Sequence, residues 1–221
     1  MTWKKLINNW LDYIWPKFCL SCKQEGDLLC LKCLDSIPLQ SIDYQAWPIN
    51  NFAFKKCYVC LDYSLPLTQK LIKTFKYKYF SNLDIYLIKF LAKQAKNLNL
   101  SSDTIITNPS LHFKRRQQRG FDQTKLLALG LAKELKLEYY PLLIRQKNTK
   151  NQAKLAKNER IHNIIGAFKI NNKINLANIS KKRTIIIIDD VATTGSTLDE
   201  AAKTLNKAGF SNIICLVLAK N

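Results

Sequence analysis

Apolar positions along this chain change period several times, and the changes mark out its elements. Near the N-terminus Trp3, Ile7, Trp10, Leu11 and Ile14 recur at helical spacing over residues 2–15, and Pro16 ends the pattern. That aromatic stripe is expected to dock on the protein's own core. Residues 34–53 carry Pro38 and Pro48 among scattered polar residues and read as a linker. From residue 54 onward, apolar runs alternate with amphipathic stretches. Strands are expected at 56–63, 104–107, 139–144, 167–170, 184–188 and 212–218. Helices are expected from Pro66, with Leu67, Leu71, Ile72 and Phe75 inward, from about Ser81 to Lys96, after Asp122 as N-cap, and from Leu198 to near Gly209. A basic loop covers 109–122 and a polar loop 146–158. The alternation predicts a parallel α/β sheet with helices on both sides. The expected division is 1–53 (helix, cysteine module and linker) and 54–221 (the α/β domain).

Residues 183–197, RTIIIIDDVATTGST, concentrate the chemistry. Ile185–Ile188 form a β-branched run suited to a strand buried on both faces. Asp189 and Asp190 follow at its carboxyl end, where open α/β sheets bind ligands. Ala192, Thr193, Thr194, Gly195, Ser196 and Thr197 then form a small, hydroxyl-rich turn into a helix. Backbone N–H groups and the dipole at that helix start favour an oxyanion, and the hydroxyls add donors. The aspartates repel phosphate but accept hydrogen bonds from sugar hydroxyls, directly or through a metal ion. Neither a P-loop Gly-Lys-Ser/Thr nor a G-x-G-x-x-G pattern is present. The stretch resembles the 5-phosphoribosyl-1-pyrophosphate (PRPP) signature of type I phosphoribosyltransferases. That resemblance assigns Asp189 and Asp190 to the ribose, with Mg²⁺ accompanying PRPP, and Ala192 through Thr197 to the 5′-phosphate.

Cysteine spacing adds a second site. Cys19-Leu-Ser-Cys22 and Cys30-Leu-Lys-Cys33 are two C-x-x-C knuckles separated by seven residues. Two knuckles supply four sulfurs, which suits tetrahedral, structural Zn²⁺ and leaves no open coordination position. Disulfide or redox chemistry and plain burial are the competing readings. Cys57, Cys60 and Cys215 lie in apolar runs and read as core.

Charge changes the picture again. The 221 residues hold 35 Lys+Arg against 16 Asp+Glu, a formal net charge of +19. A sugar-phosphate pocket needs few cations, so the surplus points to a polyanionic partner, nucleic acid first and an anionic membrane surface second. Lys114, Arg115, Arg116 and Arg119 cluster in the basic loop, placed for pyrophosphate or DNA phosphate. Arg145, Lys147, Lys150, Lys154, Lys157 and Arg160 form a second group. Lys70, Lys73, Lys76 and Lys78 interleave with Phe75, Tyr77, Tyr79 and Phe80, a pattern that binds single strands by stacking bases and neutralising phosphates. Each stripe also fits a solvated helix face. Asn8 and Asn9 interrupt any signal-peptide core, and no run is long enough to span a bilayer, so a cytoplasmic location is expected.

Together these features resemble the ComF family of competence proteins, of the ComFC/GntX type. The resemblance rests on the four-cysteine knuckle, TFKYKY (Thr74–Tyr79), RRQQRGFDQTKLLA (Arg115–Ala128), the residues Arg145, Thr149, Gln152, Glu159, Arg160, Asn163, Gly166 and Phe168, and the PRPP signature. Where the family shows a Val-Pro-Val-Pro-like segment, this chain has Ile106-Thr107-Asn108-Pro109. The resemblance implies a PRPP-binding and single-stranded-DNA-binding protein of natural transformation, working near the inner face of the membrane beside a competence helicase and a DNA-processing protein. It leaves the phosphoribosyl acceptor unidentified. A metabolic nucleobase phosphoribosyltransferase and a non-catalytic PRPP-sensing adaptor are the alternatives.

Overall fold

The computed structural model describes residues 17–40, 42–43, 52–77, 82–113, 116–117, 120–147 and 163–221, with backbone alone for Ile42, Asp43 and Tyr77. The helix expected over 2–15 and most of the polar loop at 146–158 lie outside the described residues. In chain order the elements are α1 (Leu31–Ser36), β1 (Ile42–Asp43), β2 (Lys56–Asp62), α2 (Pro66–Tyr77), α3 (Leu83–Lys96), β3 (Ile105–Thr107), α4 (Gln123–Leu135), β4 (Glu138–Tyr139), β5 (Leu143–Arg145), β6 (Phe168–Ile170), β7 (Ile185–Ala192), α5 (Ser196–Lys207) and β8 (Ile213–Lys220).

Period-two burial explains the sheet. In β7, Ile186 and Ile188 enter one core layer while Ile185 and Ile187 enter the other. In β8, Leu216 and Leu218 face the first layer, and Ile213, Cys215 and Val217 the second. Strands apolar on both faces must be covered twice, so β7 and β8 lie mid-sheet in the order β1-β2-β8-β7-β3-β4. From β2 to β4 every pairing is parallel, and β1 joins β2 antiparallel. The first layer holds α2, α3 and α4 with Cys19, Leu29, Cys33 and Ile37 of the cysteine module. The second holds α5 with residues of β5 and β6.

Two sequence expectations need correction. The strand expected over 139–144 is broken at Pro141, whose ring supplies no N–H for a ladder. Its first part, β4, stays in the main sheet; its second, β5, pairs antiparallel with β6 in a separate two-stranded ribbon. The expected linker 34–53 begins in α1 and contributes β1 to the sheet edge. Elsewhere local signals set the boundaries. Asp122 caps α4 by accepting from the Lys125 N–H at 3.0 Å, and Pro66 opens α2 where its missing N–H costs nothing.

Candidate functional site: a hydroxyl-rich loop, an acid pair and a four-cysteine cluster

Strand β7 outruns its neighbour. β3 ends opposite Ile187, so Ile188 through Ala192 project past it at the carboxyl rim. The strand therefore continues through the acid pair, and the two carboxylates accept backbone N–H groups there. Asp189 Oδ1 accepts from Asp190 N–H at 2.8 Å, and Asp190 Oδ1 from Val191 N–H at 2.6 Å. Gly195 then turns the chain into α5 with φ of +78°, a left-handed conformation that disfavours a Cβ. Thr194 Oγ1 donates to Ser196 Oγ at 2.9 Å and fixes the turn. The N-cap Gly195 brings no side chain to α5, and the Ser196 N–H donates to Thr194 Oγ1 at 3.4 Å. The acid in its first turn is engaged elsewhere: Asp199 accepts from Ala53 N–H at 2.8 Å and pairs with Lys203 at 2.7 Å. The result is a concave pocket running from Asp189 through Thr193, Thr194 and Gly195 to Ser196 and Thr197. Its polarity is donor-rich at the helix end and acidic at the strand end, which matches a phosphate joined to a sugar diol.

The acid pair is not left to repel itself. Burial first, and the neighbouring Asp190 charge second, push the Asp189 carboxyl up to about 7. The Asp190 N–H and the charges of Lys76 and Arg145 oppose that rise. Lys76 Nζ lies 3.0 Å from Asp190 Oδ2, with both side chains mostly buried. The interleaved spacing places Lys76 in a DNA-facing stripe with Lys73; Lys73 is exposed, whereas Lys76 turns inward onto the acid pair. A signal was available: Lys76 follows Ile72 by four residues and so borders the buried face of α2. Arg145, also outside the PRPP motif, is buried at the end of β5 with its guanidinium 5.5 Å from the Phe168 ring. As donor sets, the two aspartates supply the carboxylate oxygens that Mg²⁺ prefers, though Asp190 already holds an ammonium.

Arg116 stands apart from that pocket. It lines a neighbouring cavity of about 260 Å³, with Asn108, Tyr139 and Arg145. Its guanidinium lies 5.8 Å from the Phe113 ring. The chain's departure at Thr107-Asn108 builds a polar bridge beside this cavity. Tyr139 Oη donates to Asn108 Oδ1 at 2.8 Å, and Asn108 Nδ2 to Thr124 Oγ1 at 3.0 Å. Lys114, Arg115, Arg119, Lys150 and Lys154 lie outside the described residues, as does the side chain of Tyr77.

The cysteine module folds as its spacing predicts. Cys19, Cys22, Cys30 and Cys33 bring their sulfurs within 4.8 Å of one another, and Cys22 Sγ lies 3.7 Å from Cys30 Sγ. A tetrahedral ZnS₄ centre with bonds of ~2.3 Å requires S···S spacings of about 3.8 Å, so the donor set fits a thiophilic metal. Burial opposes the Cys19 thiolate, but N–H groups of Cys30, Cys22 and Ser21 outweigh it and lower its pKa to about 6. At Cys30 the Cys33 N–H favours the thiolate, yet the surrounding thiols, with burial, carry the pKa up to about 11. Cys57, Cys60 and Cys215 are fully buried, with Cys57 opposite Cys215 across β2 and β8, as expected of core residues. The module touches α2 directly, since Lys70 Nζ donates to Leu20 O at 3.0 Å.

A parallel sheet with this acid-pair loop defines a phosphoribosyltransferase-type α/β protein, and the phosphoribosyl transferase domain family matches residues 126–221. Competence protein F of Haemophilus influenzae is 32% identical over 161 residues, which cover 68% of this chain and 66% of that protein. DNA utilization protein YhgH of Escherichia coli strain K12 is 31% identical over 164 residues, 70% of this chain and 68% of its own length. The chain belongs to the ComF family of competence proteins, and it spans about two thirds of these relatives. An adenine phosphoribosyltransferase structure from Trypanosoma brucei, complexed with AMP, pyrophosphate and ribose-5-phosphate, covers 74% of this chain and 83% of its own. At 15% identity and a TM-score of 0.40 it assigns no residue a role.

Proposed function

We propose that this protein serves DNA uptake in natural transformation by binding PRPP at the β7–α5 loop and single-stranded DNA on its basic surface. The loop carries the reading: the N-terminus of α5 and its hydroxyl-rich turn line one concave site, with Asp189 at the strand end. In this reading Thr193, Thr194, Ser196 and Thr197 hold the 5′-phosphate, and Asp189 and Asp190 accept from the ribose hydroxyls. Mg²⁺, when bound, supplies charge neutralisation for the pyrophosphate. Arg116 faces pyrophosphate or DNA phosphate from the adjoining cavity. Zn²⁺ in the cysteine module holds the N-terminal segment against α2 and α3 and takes no part in chemistry. A net charge of +19 supports the DNA partner, as do relatives named for competence and for DNA utilization. No helix among the described residues is long and apolar enough to cross a membrane.

The test is calorimetric titration of the zinc-loaded protein with PRPP and, separately, with single-stranded DNA at several salt concentrations. The reading expects both to bind, with DNA affinity falling steeply with salt. PRPP binding with salt-independent or absent DNA binding would instead favour a metabolic transferase.

A further inference from the structure

Lys76 reaches the acid pair from an element with no part in the PRPP motif. It occupies the last turn of α2, where the helix dipole already favours a cation. Its placement is fixed from two directions. Gln123 Nε2 of α4 donates to the Lys76 carbonyl at 3.4 Å, and Phe75 meets Phe121 edge-on with centroids 5.8 Å apart. Nearer the start of α2, Lys70 is tied to the cysteine module through Leu20 O. The ammonium is therefore delivered to Asp190 by a braced helix.

The carboxylate oxygens are correspondingly committed. Asp190 uses Oδ1 for the Val191 N–H and Oδ2 for Lys76, while Asp189 uses Oδ1 for the Asp190 N–H. A divalent cation spanning both aspartates would have to share Asp190 with an ammonium 3.0 Å away. An ammonium and a divalent cation on one carboxylate, away from bulk water, repel each other. Lysine and a divalent metal exclude each other at this oxygen.

We propose that Lys76 is the resident counter-ion of the acid pair, standing on Asp190 in place of a divalent cation, so that the pair receives a sugar diol without metal. The assignment deepens the phosphoribosyl reading and rests on it for the identity of the diol. The exclusion of metal by Lys76 stands on the ion pair alone.

Two titrations test it on the full-length, zinc-loaded protein, with zinc content and far-UV circular dichroism verifying the fold of each variant. The first is Mn²⁺ binding followed by electron paramagnetic resonance. Lys76→Met should bind Mn²⁺ at least ~10-fold more tightly than wild type, since removal of a cation at contact distance is worth well over the ~1.4 kcal/mol that tenfold represents. Adding Asp190→Asn should abolish that gain, and Lys76→Arg, which keeps the charge, should match wild type. The second is ribose 5-phosphate binding in metal-free buffer. Wild type should bind there, and Lys76→Met should lose affinity at least ~10-fold and recover it with Mn²⁺. Equal Mn²⁺ affinity in wild type and Lys76→Met, or wild-type ribose 5-phosphate binding that requires metal, would overturn the proposal. If Mn²⁺ behaves as expected but no variant binds ribose 5-phosphate, the counter-ion assignment stands and the phosphoribosyl reading falls.

Discussion

The cysteine module and the acid pair both gather groups that carry negative charge, and they differ in how that charge is met. In the module four sulfurs converge within 4.8 Å of one another, and the Lys70 ammonium donates to the Leu20 carbonyl. At the acid pair Lys76 sits on Asp190, and Arg145 lends charge to Asp189. In the proposed reading the module takes its cation from solution, as zinc; the acid pair carries its own. A structural metal becomes part of folding, whereas a site that must exchange ligands is better served by a counter-ion on the chain that stays when the ligand leaves.

The largest expected effect breaks the module. Cys19→Ser or Cys33→Ser should abolish stoichiometric zinc and lower thermal stability by 10 °C or more, on the order of 3 kcal/mol or above, as judged by atomic emission and calorimetry. Both sulfurs lie in the α2–α3 core layer, so the loss should spread beyond the module. A variant that loses zinc and melts like wild type would show that the module is an appendage.

Lys76→Ala comes next and removes the internal compensation. A fully buried pair broken on one side costs about 3–5 kcal/mol; Lys76 retains a fifth of its exposure, so about 1–2 kcal/mol is expected in denaturant unfolding. Lys73→Ala, on the exposed side of the same helix, should change stability by less than ~0.5 kcal/mol. Comparable losses from the two would contradict the inward placement of Lys76.

The pH dependence sharpens the comparison further. Asp189 titrates near 7 in the folded chain against an ordinary carboxylate value near 4 when unfolded. The folded state thus binds the extra proton, and stability from this group declines as pH rises from about 4 to about 7. Asp189→Asn should raise the melting temperature at pH 8 and leave it little changed at pH 4, in scans across that range. The smallest effect belongs to Gly195. Gly195→Ala places a Cβ at φ +78° and should cost about 1 kcal/mol while weakening phosphate binding, measurable with ribose 5-phosphate.

How much of this was legible depended on how local each signal was. Ile185–Ile188, the two C-x-x-C pairs and the Asp122 cap lie within a few residues of their own consequences, and each structural outcome follows the local pattern. Pro141 was a visible break in an apolar run, yet that β5 would leave the sheet and pair with β6 depends on a partner beyond the polar loop. Lys76 is the clearest limit. Its spacing from Ile72 marks it as bordering the buried face of α2, but nothing local says that Asp190 waits across the rim of the sheet. Thr107 and Asn108 are similar: the departure from an apolar, proline-bearing segment was plain, while its use in bridging Tyr139 and Thr124 required the fold.

The acid pair and the β7–α5 loop are proposed as a phosphoribosyl site separate from the DNA-binding surface. The direct measurement is calorimetric titration of PRPP and of single-stranded DNA into zinc-loaded wild type and the Asp189→Asn/Asp190→Asn double variant. The double variant should lose PRPP affinity at least ~10-fold while its DNA affinity stays within about twofold. Unchanged PRPP binding in the folded double variant would contradict it.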